Sequence, residues 1–510
     1  MTYIEPNSDI QIFGDVSLAP SQEDTLYFPS TYAKDTYFDS VRRLATLSSQ
    51  SYTRKSKNYI RVNLPISSLY NACYMRFKNT SFENKWFYAF ITEVEYINNI
   101  TTEVRFEIDT MMSWMGAFSL AQCFVERQHS VTDGIGDNIV EENLELGDYV
   151  NNAINRSNLW SSYTMVLGCT VDEQGDDVTG EMVNGLYSGV HLQQFGTASA
   201  LNNFIDELTN KAKSDAIVAC TMCPGNLSID SQGIFNVVSI TKSYNSINGY
   251  QPNNKKLFTY PYNYLQVTNG QGNYATFRWE FFNQTSKAQF NIGGVASLNP
   301  EIVLMPKQYK GTPPTLNDIS EKMTLSGFPM CSFNVDAYKA YIAQNKTSLQ
   351  TEVISTGASG IISTIMSGVS GNIGGAVSNA VSTVSRIAEI NANLIDYARK
   401  PPQSGGAQGS DMQVSYGLKD FYFYSKSITN QYARIIDDFF TMFGYAQKRV
   451  MTPNMNARPY FTYVKTVDCV VHGDIPADDC HKIEEMFNSG VRFWKNHSNI
   501  GNYSLNNSPT

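Results

Sequence analysis

The N-terminal part of the chain shows apolar and polar residues in alternation, the pattern of half-buried β-strands. Residues 59–64 alternate in this way, and residues 86–96 and 104–108 are rich in aromatic and β-branched side chains. The pair at Asn98 and Asn99 has turn chemistry and separates the last two segments. We therefore predict a long β-hairpin there, with Val104, Phe106 and Ile108 on one face.

Short helices are predicted after strands near both ends of the chain. Asp109 is a suitable N-cap for a helix over residues 110–118. Near the C-terminus, strand-like segments at 460–464 and 469–471 precede a helix that Pro476 opens and Gly490 closes. The apolar stripe of this second helix is Ile483, Met486 and Phe487. A strand pair followed by a helix at each end predicts two related modules.

The domain organisation follows from these patterns. A chain of 510 residues is too long for one compact core. We predict an N-terminal β module over 1–130, an irregular β-leaning domain over 131–345, a Gly-rich hydrophobic segment with a linker over 346–410, and a C-terminal module over 411–510. Within the second domain, residues 275–282 are predicted to form one strand. The expected fold class is mainly β with some α, in several domains.

One segment stands apart, because residues 353–385 contain no charged side chain and mix aliphatic residues with Gly, Ala and Ser. Two interpretations remain open from the residues alone. The segment could be a small-residue helix hairpin buried within a domain or between subunits. It could equally be a conditionally exposed membrane-active loop, since small residues let helices approach closely in lipid and an uncharged helix satisfies its own backbone there.

Composition narrows the function. A net charge of −9 argues against a protein that grips nucleic acid, although it leaves room for a wall past which DNA slides. The aromatic fraction of 13% with only 17% charged residues favours β-rich packing over disorder. The eight cysteines are scattered, so no disulfide framework is implied. Cys220 and Cys223 form a CxxC pair without further ligands at zinc spacing, and we expect buried thiols, no metal and no cofactor.

No catalytic constellation is evident, and the chain is not expected to be an enzyme. His481 and His497 are expected on the solvated surface, and His129 in a structural contact. The acids of residues 141–148 could be imagined as a glycosidase pair, but a solvated loop is the favoured interpretation. The first residues lack the basic and apolar regions of a secretory signal, so assembly in a reducing cytoplasm is expected, and we predict no constitutive membrane span.

Several motifs resemble one family, the tail-knob or distal tail-tube proteins of small short-tailed viruses of the Salasmaviridae and Rountreeviridae type. The motifs are WFYAFI at 86–91, FEID at 106–109, FVERQH at 124–129, NLELG at 143–147, YPYNYL at 260–265, IDDFF at 436–440 and the stretch from 458 to 494. Residues of about 150–250 match little of the family.

The resemblance implies β-barrel-like tube modules, a β knob domain and a long hydrophobic loop in a virion tail protein. It also implies a homohexamer that joins other tail proteins (the proximal tube or collar) and conducts viral DNA without binding it specifically. The loops would plug the lumen and then enter host membrane lipids during genome ejection. The membrane-inserting residues so implied are Val353, Ile354, Ile361, Ile362, Ile365, Met366, Val369, Gly371, Ile373, Gly375, Val377 and Val381.

Two other classes of function remain. The first is a receptor-binding tail adhesin whose middle domain recognises a cell-wall glycan through Tyr and Trp side chains. The second is an enzyme, such as a wall hydrolase built around residues 131–345. Glycan capture would favour the adhesin, and clearing of a wall substrate that depends on a single carboxylate would favour the hydrolase.

Overall fold

The structure is a computed structural model. It describes residues 7–50, 58–171, 182–183, 186–187, 190–211, 216–230, 233–242, 244–284, 286–313, 321–332, 334–335, 403–404, 407–408 and 419–509. Strands dominate these ranges, and helices are fewer, which confirms the predicted mainly β fold class.

The strands are numbered in chain order. They are β1 (Ser8–Phe13), β2 (Asp24–Leu26), β3 (Arg43–Gln50), β4 (Tyr59–Val62), β5 (Tyr74–Lys78), β6 (Phe87–Asn98), β7 (Thr101–Ile108), β8 (Ser119–Leu120), β9 (Cys123–Gln128), β10 (Tyr149–Arg156), β11 (Tyr163–Cys169), β12 (Met182–Val183), β13 (Leu186–Tyr187), β14 (His191–Phe195), β15 (Ile217–Pro224), β16 (Gly233–Thr241), β17 (Asn263–Thr268), β18 (Tyr274–Phe277), β19 (Lys287–Gly294), β20 (Ile302–Lys307), β21 (Met323–Leu325), β22 (Met330–Ser332), β23 (Asn334–Val335), β24 (Gln403–Ser404), β25 (Ala407–Gln408), β26 (Tyr422–Ile428), β27 (Tyr445–Met451), β28 (Phe461–Val467), β29 (Val471–His472) and β30 (Val491–Trp494).

The helices are numbered in the same way. The α-helices of the described ranges are α1 (Thr31–Ser40), α2 (Thr110–Trp114), α3 (Ala198–Asn210), α4 (Asn430–Phe443) and α5 (Ala477–Ser489). Short 3₁₀ turns occur at Ile66–Ser68, Thr80–Phe82, Leu159–Ser161, Lys255–Phe258, Trp279–Phe281 and His497–Asn499.

The chain divides into two compact units. The first unit combines Met1–Gly147, Gly249–Thr259 and Thr429–Thr510, so it contains residues from both ends of the sequence. The second unit combines Asp148–Asn248 and Tyr260–Ile428. The short segment 249–259 thus belongs to the first unit although both of its sequence neighbours belong to the second.

The first unit contains a six-stranded sheet in the order β3-β1-β5-β6-β7-β4. Strands β6 and β7 form the predicted long hairpin, in which Val94 pairs with Val104 and Ile91 with Phe106. Val104 and Phe106 are buried, as the alternating pattern predicted, and they pack in an apolar core beneath the sheet.

Helix α2 follows the hairpin directly and is capped as predicted. The backbone N–H of Met112 donates to Oδ1 of Asp109 at 2.9 Å, and this bond satisfies one of the free N–H groups of the first turn. The helix ends at Trp114, four residues earlier than the predicted limit of 118. Met111 and Met115 of this region are buried in a second core of the unit.

A five-stranded sheet in the order β2-β30-β28-β9-β27 is the other main sheet of the first unit. It mixes strands from both ends of the chain, and β2 runs parallel to β30. Helix α5 packs beside β28 with Ile483, Met486 and Phe487 buried, which confirms the predicted stripe. The prediction of a strand over 469–471 was wrong in extent, since only Val471 and His472 form a short strand.

The second unit contains three larger sheets. Their strand orders are β10-β26-β17-β18, β14-β11-β15-β22-β25 and β16-β19-β20-β21. Aromatic and aliphatic side chains from all three sheets share one apolar core. The predicted single strand at 275–282 was wrong: β18 ends at Phe277, and Trp279–Phe281 forms a 3₁₀ turn that buries Trp279.

Among the described residues, no helix has the length and apolar character that a membrane crossing requires.

Candidate functional site

The residues predicted to enter a membrane lie outside the described residues, so their role stays a prediction. They are Val353, Ile354, Ile361, Ile362, Ile365, Met366, Val369, Gly371, Ile373, Gly375, Val377 and Val381. The geometry that the structure does provide concerns the polar groups of the first unit.

His129 lies just after β9 and is buried between two other elements of the first unit. Its Nδ1 accepts from the backbone N–H of Tyr463 at 2.8 Å, and its Nε2 lies 3.1 Å from the carbonyl oxygen of Thr441. Burial, with the nearby Arg458 guanidinium, lowers the pKa of His129 to about 3. The imidazole is therefore neutral and joins β28 to helix α4, which confirms the expected structural contact.

The two histidines expected on the solvated surface behave differently from each other. His481 is exposed on helix α5, as expected, near the carboxylates of Glu484 and Glu485. The expectation for His497 was wrong, because its ring is partly buried, and its Nδ1 lies 2.5 Å from the hydroxyl of Tyr37.

Glu141, Glu145 and Asp148 are exposed, as expected of a solvated acidic loop, but the expectation was wrong for Glu142. Its carboxylate is buried. Oε1 accepts from Nζ of Lys256 at 2.5 Å and from the backbone N–H of Ala446 at 3.1 Å, while Oε2 pairs with the guanidinium of Arg127. No sequence signal connected Glu142 to Lys256, because the partners lie more than a hundred residues apart.

Asp437 is a second buried carboxylate of the first unit, on the inner side of helix α4. Its Oδ2 accepts from the hydroxyl of Tyr250 at 2.6 Å and from the backbone N–H of Asn253 at 2.8 Å. Its Oδ1 accepts from the backbone N–H and from the side-chain amide of Asn254, both at 2.9 Å. One carboxylate thus receives four hydrogen bonds from the 249–259 segment.

Asp133 is a third buried carboxylate that contacts the 249–259 segment. Its Oδ1 accepts from the hydroxyl of Tyr445 at 2.5 Å, and its Oδ2 accepts from the backbone N–H of Lys255 at 3.1 Å. Burial raises the pKa of Asp133. Asp133, Glu142 and Asp437, which we call the carboxylate clamp, together bind the 249–259 segment. All six oxygen atoms of the clamp accept hydrogen bonds, so the clamp holds these segments of the chain together.

A cleft of about 1220 Å³ opens in the described part of the first unit. Residues of β7, of helix α5 and of the loop before β2 line it, with Glu107, Asp478 and Glu485 among the acids and Lys482 and Arg492 among the bases. Charges of both signs are interspersed there. Within the described ranges, no group of His, Cys, Asp and Glu is arranged to hold a metal ion.

The CxxC pair lies on β15 in the second unit. Cys223 is buried and Cys220 is half-buried, and neither forms a disulfide. Burial raises the pKa of Cys223 to about 12, so the thiol is protonated and unreactive at neutral pH. The structure confirms the expectation of a buried thiol for Cys223.

Each carboxylate of the clamp thus joins segments that lie far apart in the sequence, which is a structural role. Residues 6–119 match the family model of the caudoviral major tail protein N-terminus. The class is therefore that of virus tail structural proteins.

Residues 228–508 match the family model of the C-terminal domain of tail knob protein gp9 of Bacillus phage phi29, which is more than half of the chain. The chain belongs to this tail knob family, as the sequence motifs predicted.

Curated relatives agree over the whole length. The chain is 25% identical to the tail knob protein gp9 of Bacillus phage phi29 over 602 aligned residues, which cover 99% of this chain and 100% of the relative. It is 26% identical to the corresponding protein of Bacillus phage B103, with the same coverage. The structure of the bacteriophage C1 tail knob protein gp12 superposes with a TM-score of 0.64 at 16% identity, over 98% of this chain and 99% of that one.

These comparisons confirm several predictions. The protein is a structural tail knob protein of a short-tailed phage, it is a component of the virion tail, and it associates with other tail proteins. Its relatives are named for tail structure and not for an enzymatic activity.

Proposed function

We propose that six copies of the chain form a closed ring around a DNA-conducting tube. In this proposal the uncharged segments 353–385 plug the lumen before infection and penetrate the host membrane during genome ejection. The observation that carries it is the absence of any charged side chain from Val353 to Ser385 in a member of the tail knob family.

The composition of the segment supports a two-state role. Each aliphatic or Met side chain transferred from water to an apolar environment contributes about 1.5–3 kcal/mol, so the eleven such residues of 353–385 represent a substantial driving force. The glycines lower helix propensity and add an ordering cost. One segment is therefore a marginal membrane anchor, whereas several in one ring act together.

The closed ring has support of a different kind. Cyclic closure leaves no unpaired heterologous interface around the ring. The net charge of −9 gives the chain no overall attraction for DNA phosphates, and a neutral or acidic bore would let DNA slide. Apolar segments that face one another in the lumen would also be hidden from solvent, which prevents aggregation of the free virion.

The first experiment tests membrane entry through dye release from anionic liposomes by the full chain under mild acid or heat. Ile365→Asp with Ile373→Asp is expected to abolish release, because a carboxylate in the bilayer core costs about 2.5–3.5 kcal/mol. Ile365→Val with Ile373→Val is the matched control and should release dye as the native chain does. Equal release by both double variants, or no release by the native chain, contradicts the membrane role.

The second experiment tests the ring. Negative-stain images and light scattering of the native chain should show a hollow six-fold particle. Deletion of residues 353–399 should leave the particle soluble, with an open lumen. A stable monomer at micromolar concentration would refute the ring, and unfolding of the deletion variant would show that the segment belongs to a folded core.

A further inference from the structure

The outward side of the sheet β10-β26-β17-β18 in the second unit carries a group of tyrosines. The inward side chains Leu265, Val267, Phe277 and Phe423 are buried in the apolar core. The opposite side presents Tyr264, Tyr274, Tyr422 and Tyr424 together with Arg156 and Lys426, and we call these six residues the tyrosine face. The fold does not need aromatic residues there, since the core lies on the other side.

Strand register brings these side chains next to one another. Tyr264 lies opposite Lys426, Tyr424 opposite Gln266, and Tyr422 opposite Thr268 on neighbouring strands. Tyr274 of β18 lies opposite Thr268 from the other side. Opposed residues share a face of the sheet at about 5 Å, so aromatic rings alternate with hydroxyl and amide groups across the surface.

The tyrosine face is open to solvent within the described residues. Tyr274 is 71% exposed, and Tyr264, Tyr422 and Tyr424 are half-buried. Tyr264 also adjoins Tyr149, with ring centroids 5.3 Å apart. Several aromatic rings with exposed surface on one side of a sheet are consistent with a place of interaction.

The charge of the face is opposite to that of the whole chain. Arg156 and Lys426 are its charged members, and no carboxylate points outward from these four strands. The guanidinium of Arg156 lies over the ring of Tyr422 at 5.2 Å and is bound at 3.3 Å by Oδ2 of the buried Asp420. This pairing fixes a cation beside an aromatic ring in a chain with a net charge of −9.

We propose that the tyrosine face binds an acidic polysaccharide. Tyrosine offers an apolar ring for the C–H faces of sugars and a hydroxyl for their polar edges. Gln266, Thr268 and Thr276 share this side of the sheet and add donors and acceptors for sugar hydroxyls, and the two cations bind carboxylates or phosphates of the polymer. This proposal does not depend on the proposed ring or on the proposed membrane role of residues 353–385.

The same surface chemistry fits nucleic acid less well. Aromatic stacking also serves single-stranded DNA, but such sites add a positively charged groove along the backbone. Two cations, one of which is bound to Asp420, do not make a groove of that kind.

The test is titration calorimetry of the native chain with polygalacturonate, with neutral dextran and with a dT20 oligonucleotide. Polygalacturonate should bind, and Tyr264→Thr with Tyr424→Thr should weaken that binding at least tenfold. Threonine keeps strand propensity at both positions. Tyr32→Thr with Tyr70→Thr is the matched control, since these tyrosines are 81% and 73% exposed in the first unit, and it should bind as the native chain does.

The remaining outcomes decide against the proposal. It is refuted if polygalacturonate does not bind, if the double variant binds it equally well, or if only dT20 binding is lost. Light scattering that shows loss of self-association in the variant, without polysaccharide binding by the native chain, assigns the face to a second copy.

A second measurement, tyrosine nitration of the native chain read by mass spectrometry, needs no variant. Polygalacturonate should protect Tyr274 and Tyr424 and leave Tyr32 reactive.

Discussion

Replacement of Asp437 by Asn is the sharpest test of the carboxylate clamp. The change keeps the size of the side chain and removes its charge. The carboxylate accepts four hydrogen bonds, from Tyr250, Asn253 and both nitrogens of Asn254. An amide has one acceptor oxygen and one NH₂ donor group. The two donors that contact one oxygen of Asp437 would therefore face the NH₂ group of the asparagine.

The expected cost follows from those contacts. A hydrogen bond to a charged group contributes about 1.5–3 kcal/mol, and a buried donor without an acceptor costs about 1–3 kcal/mol. The hydroxyl of Tyr250 can rotate and accept instead, whereas the backbone N–H of Asn253 cannot. We therefore expect Asp437→Asn to lower the free energy of unfolding of the first unit by about 3–5 kcal/mol.

The assay is urea unfolding together with hydrogen exchange of the peptide that contains residues 249–259. Two units are present, so the local exchange rate distinguishes release of the segment from unfolding of the second unit. Asp438→Asn is the matched control, because Asp438 is the exposed neighbour on the same helix, and it should change stability by less than about 0.5 kcal/mol. Equal effects of the two variants would refute the clamp.

Two further predictions concern buried titratable groups of the first unit. Burial raises the pKa of Asp109 to about 6 from its ordinary 3.8, so the folded state binds a proton more tightly and stability should fall as pH rises from about 4 to 6. Asp109→Asn keeps the helix cap and should remove about 2 kcal/mol of this loss of stability, measured as urea midpoints from pH 4 to 7. An unchanged dependence of stability on pH would contradict the prediction. His129→Leu should cost about 1–3 kcal/mol, because the N–H of Tyr463 loses its acceptor, whereas the exposed His481→Leu should cost under about 0.5 kcal/mol in the same assay.

Local structure was largely predictable from the sequence. The β6–β7 hairpin, the Asp109 cap and the buried stripe of helix α5 each depend on residues within one or two turns or along one hairpin. Such elements are encoded by side-chain periodicity and by capping chemistry, both of which can be read without tertiary contacts. The family could also be identified from short motifs in the sequence, and the family model confirms it.

The polar interior was not predictable in the same way. Glu142 looked solvated because its neighbours in sequence are acidic, and its partners Arg127, Lys256 and Ala446 meet it only in the folded unit. The role of Asp437 was equally hidden, since the 249–259 segment that it binds has no periodic signal of its own. The tyrosine face became visible only when strand register placed residues from β17, β18 and β26 side by side.

The sequence by itself determined the β-rich class, the tail knob family, the ends of several elements and the uncharged stretch of residues 353–385. Tertiary structure alone decided that both ends of the chain build one unit and that a short central segment joins them. The physical reason is the separation along the sequence over which each interaction acts. Backbone propensity, periodicity and capping act between residues a few positions apart, whereas burial of a carboxylate is tolerated only where distant donors converge on it.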